Sequence, residues 1–427
     1  MEKIKRLKKI FNKEGIDGYI IPKNDEFFGE YVPSHSDRLN FISNFSGSYG
    51  FALILKDKNY LFVDGRYTLQ ANSQSSSFFK IITIPKKMPN DILREREISI
   101  GFDPNLITKK FLSVFFGKNK CIYKPIVNNL VDKIWKRKII SNRRKFYALP
   151  ENSVEKKYNL KISEINNYLK TKKSDFLFIT SSENNAWLLN IRGRDTKYAP
   201  IPYSYVLIDK KNNVKFFCDL KKISSSLKRR FRKIEFLDIN FCYKTLSKIK
   251  RTKFIIDKNT CSYFFEKTIS KNNSIISHDD PIYFLKAIKG KKEIANIKKV
   301  HIYDGVALTK YLFWLKKNFY KRNITEIDAS EKLFSLRKKN KKFKFLSFPT
   351  ISGTGPNGAI IHYKATKKTN RKLKKGDIYL VDSGGQYEFG TTDVTRTISL
   401  KNSSQRIKDI FTILSNSSLY FIFDSLV

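Results

Sequence analysis

Two aspartates near the C-terminal end of the 427-residue sequence have a spacing that suits paired metal ligands. Asp382 closes the apolar run 378–381, and Asp393 begins the next strand-like segment 11 residues later. Such spacing fits two antiparallel strands joined by a modest loop, so both carboxylates can face one spot. Two close carboxylates repel each other and resist ionisation, a conflict that a divalent cation resolves. Taken alone, the pair also fits strand-end aspartates that cap turns, which is the commoner occurrence.

A histidine precedes this pair in a segment of unusual composition. Residues 348–359 are rich in Gly, Pro and Asn, and His362 ends the short apolar run that follows them. The pattern predicts a loop and then a short strand that delivers His362 at its end. A histidine in that position is most often a hydrogen-bonded structural residue.

The elements that must position these side chains are preceded by an internal repeat. Residues 18–64 and 175–219 share one order of predicted elements, namely a strand, a helix stopped by Asn-x-x-Gly, and a hairpin. This order predicts two related α/β domains, residues 1–146 and 150–285, separated by linkers near 147–156 and 278–281.

A third domain of different character is predicted over residues 288–427, so the overall fold class is α/β (α+β). It begins with a long amphipathic helix, predicted over residues 288–316. The apolar face of that helix is assigned to Ile294, Ile297, Ile302, Val306, Leu308 and Leu312.

The amino-acid composition limits the classes of protein to which the chain can belong. Hydrophobic residues make up 41% of the chain, which indicates globular domains with ample cores. Four cysteines without CxxC pairing are interpreted as small buried hydrophobes in a reducing compartment. No apolar run reaches 18 residues, so no membrane association is expected and a cytoplasmic location is predicted.

The net charge of +45 raises the alternative of nucleic-acid binding. The lysines are spread over every segment and do not form one stripe. This distribution favours a solvated surface over a specific nucleic-acid footprint. Weak, salt-sensitive binding to polyanions is still expected.

Several motifs together resemble one protein family. Residues 348–363 (FPTISGTGPNGAIIHY), 381–387 (VDSGGQY) and 390–397 (GTTDVTRT) are similar to the signatures of Xaa-Pro aminopeptidases. Residues 64–67, 186–193 and 301–308 match in the same order. The resemblance is to the long three-domain cytosolic type, with two creatinase-like N-terminal domains and a pita-bread M24 metallopeptidase domain. It extends from about residue 19 to about residue 414.

The resemblance implies a role for each matching residue. Asp382 would hold one of two divalent ions, usually Mn²⁺, and Asp393 would bridge both. His362 would contact the scissile carbonyl and transfer a proton, and Arg66 would help to bind substrate. The implied substrates are peptides with proline at the second position, hydrolysed by a metal-activated water, and the implied assembly is a homodimer.

The sequence departs from the family after Asp393. The resemblance implies five ligands, two Asp, one His and two Glu, yet the 34 residues that follow Asp393 contain neither His nor Glu. Residues 415–427 resemble nothing in the family. The expectation is therefore a C-terminally truncated, inactive form whose pita-bread domain lacks its second half and is unstable.

Two other functions remain open. Pita-bread relatives without metal ligands serve as peptide- or protein-binding modules, and the charge alone suggests a nucleic-acid binder. Retention of Asp382, Asp393 and His362 together favours the peptidase interpretation, because a long-established non-catalytic module would have little reason to keep all three.

Overall fold

The computed structural model describes residues 2–137, 142–401 and 403–424. The chain divides into two compact units, Met1–Ile294 and Ala295–Val427. No helix in the described ranges combines the length and the apolar composition that a bilayer crossing requires.

The first unit begins with a six-stranded mixed sheet in the order β4-β3-β2-β1-β5-β6. Its strands are β1 (Gly18–Pro22), β2 (Phe51–Leu55), β3 (Asn59–Asp64), β4 (Lys80–Ile84), β5 (Ser99–Phe102) and β6 (Ile122–Pro125). The accompanying helices are α1 (Glu2–Glu14), α2 (Arg38–Ser43), α3 (Thr68–Ser75), α4 (Pro89–Leu93), α5 (Lys109–Phe116) and α6 (Leu130–Ile134). Strand β1 is buried on both faces because separate apolar clusters cover the two sides of the sheet.

A second six-stranded sheet follows in the order β12-β11-β10-β8-β13-β14. Its strands are β8 (Phe176–Ile179), β10 (Ser204–Asp209), β11 (Val214–Cys218), β12 (Ile234–Asp238), β13 (Lys253–Asp257) and β14 (Ser274–His278), while β7 (Tyr147–Ala148) pairs separately with β9 (Ile191–Arg192). The helices are α7 (Tyr158–Thr171), α8 (Ser182–Leu189), α9 (Ser225–Arg230), α10 (Phe241–Lys248), α11 (Tyr263–Ser270) and α12 (Pro281–Ala287).

The two sheets have the same topology, which confirms the repeat predicted from the sequence. In each, the first strand pairs antiparallel with the second and parallel with the fifth, and the outer pairs are parallel. The helix after the first strand ends in both copies at an asparagine with left-handed backbone, Asn44 at φ 62° and Asn190 at φ 54°. Asparagine tolerates this conformation better than most residues, so the Asn-x-x-Gly signal marked a true helix stop.

Helix α12 begins at a buried carboxylate whose ionisation opposes folding. Asp280 is 4% exposed, and its side chain accepts hydrogen bonds from Ile282 N at 2.9 Å and Asn184 Nδ2 at 2.7 Å. Burial nevertheless raises the pKa of Asp280 to about 6. The folded chain therefore holds this proton more tightly than the unfolded chain does.

Replacing Asp280 by asparagine should remove a pH-dependent loss of stability. Between about pH 4 and pH 6 the folded state binds more protons at this position, so the wild-type free energy of unfolding falls as the pH rises. The difference between Asp280→Asn and wild type should grow by on the order of 2–3 kcal/mol across that window. Urea unfolding at pH 4.5 and pH 7 measures it. The matched control is Asp279→Asn, an exposed neighbour whose pKa is lowered by its hydrogen bond to Asn259. If the difference in free energy of unfolding between Asp280→Asn and wild type were the same at both pH values, the prediction would be contradicted.

The second unit combines three helices with two small sheets in the described residues. Its helices are α13 (Lys291–Asn318), which starts just before the unit boundary, α14 (Glu326–Lys338) and α15 (Gln405–Asp424). Strands β16 (Ile351–Thr354), β17 (Ile378–Ser383) and β19 (Val394–Ser399) form an antiparallel sheet, and β15 (Phe343–Leu346) pairs with β18 (Gly385–Tyr387). One apolar cluster joins α13 and α14 to β17.

The buried face of α13 differs from the predicted one. The helix begins at Lys291, and Ile294, Ile302 and Val306 are 43%, 66% and 50% exposed, so their assignment to the buried face was wrong. The buried residues are Val300, Asp304, Ala307, Leu308, Tyr311 and Leu315. The stripe contains a buried aspartate whose charge is neutralised by Arg337, and such a residue cannot be assigned to a core from hydropathy alone.

The cysteines agree with their sequence interpretation. All four are free of disulfides; Cys218, Cys242 and Cys261 are buried and Cys121 is partly buried. Burial raises the pKa of each thiol, which keeps it protonated and unreactive.

Candidate metal and peptide site

Neighbouring strands of the second unit bring Asp382 and Asp393 together. Asp382 lies in β17 opposite Thr395 of β19, and Asp393 immediately precedes β19. Because Asp393 is two residues before Thr395, it lies diagonally opposite Asp382 on the same side of the ladder. The two carboxyl groups are close enough to share a hydrogen bond.

The environment of Asp382 disfavours its negative charge. Burial raises the pKa of this carboxyl, a hydrogen bond from Thr395 lowers it, and the Asp393 charge raises it again, while nearby His362 lowers it. One carboxylate oxygen, Oδ1, is buried and accepts no hydrogen bond from the described residues. A buried acceptor in this state is where a cation would be expected.

A close chain crossing sets the distance between the two aspartates. A Cβ atom on Gly384 would lie 1.9 Å from Thr392 O and 2.2 Å from Ser347 Oγ, so no side chain fits there. Ser347 Oγ donates to Thr392 O at 2.9 Å, and Gly385 N donates to Thr392 Oγ1 at 3.0 Å. The Ser-Gly-Gly motif after Asp382 therefore lets β17 and the start of β19 approach closely.

His362 lies near this pair, but the predicted strand that should deliver it is absent from the described chain. After β16 the chain forms a 3₁₀ helix, Gly355–Ala359, and then a turn in which Tyr363 N donates to Ile360 O at 3.1 Å. His362 is exposed in that turn, with left-handed backbone at φ 54°. The glycines and proline of the motif favour turns over a strand, which explains the wrong prediction.

Arg66 lies in the first unit, on the short 3₁₀ helix Gly65–Tyr67. Its guanidinium pairs with Asp64, with Nη2 and Oδ2 2.7 Å apart, and the arginine side chain is 48% exposed. Its role in substrate binding stays a prediction.

A buried ion pair supports β17 from behind. Arg337 of α14 donates to both carboxylate oxygens of Asp304, from Nε at 2.6 Å and from Nη2 at 2.8 Å. Arg337 Nη2 also donates to Ser383 Oγ at 3.1 Å, and Tyr387 OH donates to Asp304 Oδ1 at 2.7 Å. Ser383 is the neighbour of Asp382, so this network fixes the strand that carries the first aspartate.

Sequence reasoning missed these supporting residues. Arg337 and Asp304 lie 33 positions apart in the chain, and no local sequence pattern indicates that their side chains are in contact. Thr325 and Asp328 do form the capping box that a Thr-x-x-Asp sequence signals. The inward orientation of Glu326, inside that motif, has no such signal.

The residues present fit part of a metal site. Carboxylate oxygens suit Mn²⁺, and Oδ1 of Asp382, which accepts no hydrogen bond from the described residues, offers a ligand atom. Within the described ranges, however, no group of three or more His, Cys, Asp and Glu side chains is arranged to hold an ion. Asp382 and Asp393 are thus two neighbouring carboxylates, one ligand fewer than the smallest such group.

Three family models match successive parts of the chain. Residues 3–119 and 139–293 each match a creatinase/prolidase N-terminal domain, and residues 295–422 match metallopeptidase family M24. The chain is 33% identical over 439 residues to a probable Xaa-Pro aminopeptidase P of Aspergillus niger, covering 97% of this chain and 71% of the relative. It is 32% identical to the Xaa-Pro aminopeptidase ApepP of Drosophila melanogaster, covering 95% and 69%.

The chain belongs to the Xaa-Pro aminopeptidase family. Its fold matches the crystal structure of X-prolyl aminopeptidase from Caenorhabditis elegans with a TM-score of 0.89 at 28% identity, over 95% of this chain and 70% of that one. That neighbour is described as a cytosolic enzyme with a di-nuclear active site. The predicted fold class is confirmed, with two creatinase-N-like α/β domains followed by M24 pita-bread sequence.

The match does not extend over the full length of these aminopeptidases. The chain spans 66% of the probable Xaa-Pro aminopeptidase P of Aspergillus flavus, to which it is 32% identical. The activity of these longer aminopeptidases is therefore proposed for this chain.

Proposed function

We propose that this chain carries the Asp382–Asp393 part of a dinuclear site for removing an N-terminal residue that precedes proline. The observation that supports the proposal most directly is the paired carboxylates, one with a buried oxygen that accepts no hydrogen bond from the described residues. Turn capping does not account for that oxygen, because a capping carboxylate would be occupied by backbone N–H groups.

Each site residue has a proposed task. Asp382 would hold one divalent ion, most simply Mn²⁺, and Asp393 would be a ligand shared with a second ion. The ions, when bound, activate water as the nucleophile at neutral pH. His362 donates a hydrogen bond to the scissile carbonyl of the bound peptide and shuttles a proton. Arg66, with its exposed guanidinium, helps to bind the peptide.

The remaining proposals concern the setting of the reaction. The partners are peptides with proline at the second position and a second copy of the chain in a homodimer. A cytoplasmic location is supported by the four free cysteines and by the description of the Caenorhabditis elegans neighbour as cytosolic.

A polypeptide that consists of residues 1–427 alone should show no turnover. Its described residues contribute two carboxylates and no further Glu, His or Asp close enough to complete a three-ligand group. Two carboxylates bind divalent ions loosely, and among the described residues no third acidic side chain is grouped with them to act as a general base. A coupled assay with a Gly-Pro-x peptide and excess Mn²⁺ is the measurement. Turnover that Asp382→Ala abolishes in this same polypeptide would show that the two carboxylates suffice.

The incomplete ligand set favours one second candidate, a non-catalytic module that binds peptides. Calorimetric titration with a Gly-Pro-x peptide in EDTA separates the two functions. Binding that neither Mn²⁺ nor Asp382→Asn changes would support the binding module against the metallopeptidase site.

A further inference from the structure

One buried carboxylate of the second unit is not part of the proposed metal site. Glu326 is the first residue of α14 and is 0% exposed. Buried glutamates are rare unless their oxygens are fully hydrogen-bonded, since an ionised carboxylate loses its hydration on burial. The partners of Glu326 therefore show what this charge organises.

Within the described chain, every group that donates a hydrogen bond to the Glu326 carboxylate belongs to one segment, residues 354–371. The backbone N–H groups of Thr354 and Arg371 donate to its carboxylate at 2.8 and 3.0 Å. Asn357 Nδ2 donates at 3.0 Å, and Tyr363 OH donates at 2.9 Å. One carboxylate thereby connects the beginning, the middle and the end of the segment.

The hydrogen-bond donors that reach this carboxylate are uncharged. Backbone N–H groups, an amide and a phenol must therefore compensate for its desolvation, together with the positive end of the α14 dipole. A charge held only in this way requires its donors in fixed positions. The backbone of Glu326 adds to the attachment, since its N–H donates to Arg371 O at 3.0 Å.

His362 lies inside the segment that Glu326 holds. Two of the four donors, Asn357 and Tyr363, flank it, and Asn357 Nδ2 also donates to Tyr363 OH at 2.8 Å. The left-handed backbone of His362, at φ 54°, is uncommon for a residue with a side chain. Such a conformation persists only where the surroundings impose it.

We propose that Glu326 is the positioning residue for His362. Acting through Asn357 and Tyr363, it holds the turn that places the imidazole beside Asp382. The inference rests on the proposed function in one respect, namely that His362 serves the reaction. The dependence of the turn on Glu326 stands on the contacts alone.

The test is a spectroscopic signature of His362 in the 427-residue chain. The sequence has four histidines, so selective ¹³C labelling gives four imidazole signals, and His362→Gln identifies one of them. Glu326→Gln replaces an acceptor oxygen with an amide N–H₂ that opposes two of the four donors. We expect the His362 signal to shift, split or broaden, while the signals of His35, His278 and His301 stay in place. An unchanged His362 signal would overturn the proposal.

Two further variants separate positioning from general loss of stability. Leu315→Ala removes a fully buried side chain of α13, in the same unit and outside residues 354–371. It should lower stability and leave the His362 signal unmoved. A shift of the His362 signal as large as the shift in Glu326→Gln would overturn the proposal. Tyr363→Phe deletes one hydroxyl and keeps the ring, so it serves if Glu326→Gln fails to fold. It should move the His362 signal in the same direction by a smaller amount, and no movement would contradict the inference.

The readout distinguishes this inference from the proposed function. The signal of His362 requires neither metal nor turnover. A His362 signal that moves in Glu326→Gln supports the positioning role even if Mn²⁺ and peptide assays fail. A signal that does not move refutes that role and leaves the assignment of Asp382 and Asp393 untouched.

Discussion

Replacing Arg337 by methionine should destabilise the second unit by about 3–5 kcal/mol. Arg337 is 0% exposed and pairs with Asp304, whose side chain is 3% exposed, through two hydrogen bonds. Methionine fills much of the same volume but leaves the Asp304 carboxylate buried, with Tyr387 OH as its remaining hydrogen-bond donor. An uncompensated buried charge is far more costly than the loss of an exposed ion pair.

The chain offers a matched control and a local reporter for this loss. Lys342→Met breaks the solvent-exposed pair with Glu388, whose nitrogen and oxygen are 2.7 Å apart, and should change the free energy of unfolding by less than about 1 kcal/mol. The second unit contains Trp314, whereas Trp135 and Trp187 lie in the first unit. Urea unfolding followed by ¹⁹F resonances of fluorotryptophan therefore reads each unit separately. Equal effects of Arg337→Met and Lys342→Met on Trp314 would refute the assignment.

Replacing Asp382 or Asp393 by asparagine should stabilise the metal-free chain and weaken Mn²⁺ binding. Each substitution removes a like-charge contact, worth about 0.2–1 kcal/mol across a strand pair. Each also removes a proposed ligand, and the apparent dissociation constant for Mn²⁺ should rise by at least about tenfold, since loss of mere supporting partners already costs about 10–100-fold. Electron paramagnetic resonance of free Mn²⁺ measures binding, and urea unfolding in EDTA measures stability.

The opposite signs of the two effects identify the function of the pair. An aspartate that only caps a turn loses stability on substitution and leaves metal binding as it was. Asp377, just before β17, is such a residue, because it accepts from Thr354 Oγ1 at 3.1 Å and Lys374 N at 3.3 Å. Asp377→Asn is therefore the control and should lower stability without changing the Mn²⁺ titration. If Asp382→Asn behaves in the same way, the metal assignment fails.

Local patterns predicted the architecture of the first unit closely. The predicted repeat segments 18–64 and 175–219 begin and end within one residue of the observed strands, from β1 to β3 and from β8 to β11. The repeated helix stop at Asn44 and Asn190 revealed the duplicated topology. These features depend on neighbours in sequence, on backbone preferences and on short continuous apolar runs, so the sequence contains them directly.

Contacts between distant residues account for what the patterns missed. The buried face of α13 was misassigned because Asp304 is buried only by virtue of Arg337, 33 positions away. The strand predicted before His362 is a 3₁₀ helix and a turn, held by Glu326 from a different element. Hydropathy and spacing reflect a residue and its near neighbours in the sequence. They therefore do not reveal a charged partner that lies on another helix.

The same distinction between local patterns and distant contacts applies to the candidate site. The sequence by itself singled out the residues to which we assign the chemistry in our proposal, because the order and spacing of Asp382, Asp393 and His362 in their motifs already indicated the family. Only the tertiary structure decided how they meet: the β17–β19 register sets the two carboxylates diagonally, and Gly384 permits the close crossing. Chemical identity belongs to single residues, whereas mutual geometry depends on hydrogen bonds and buried charges that folding brings together.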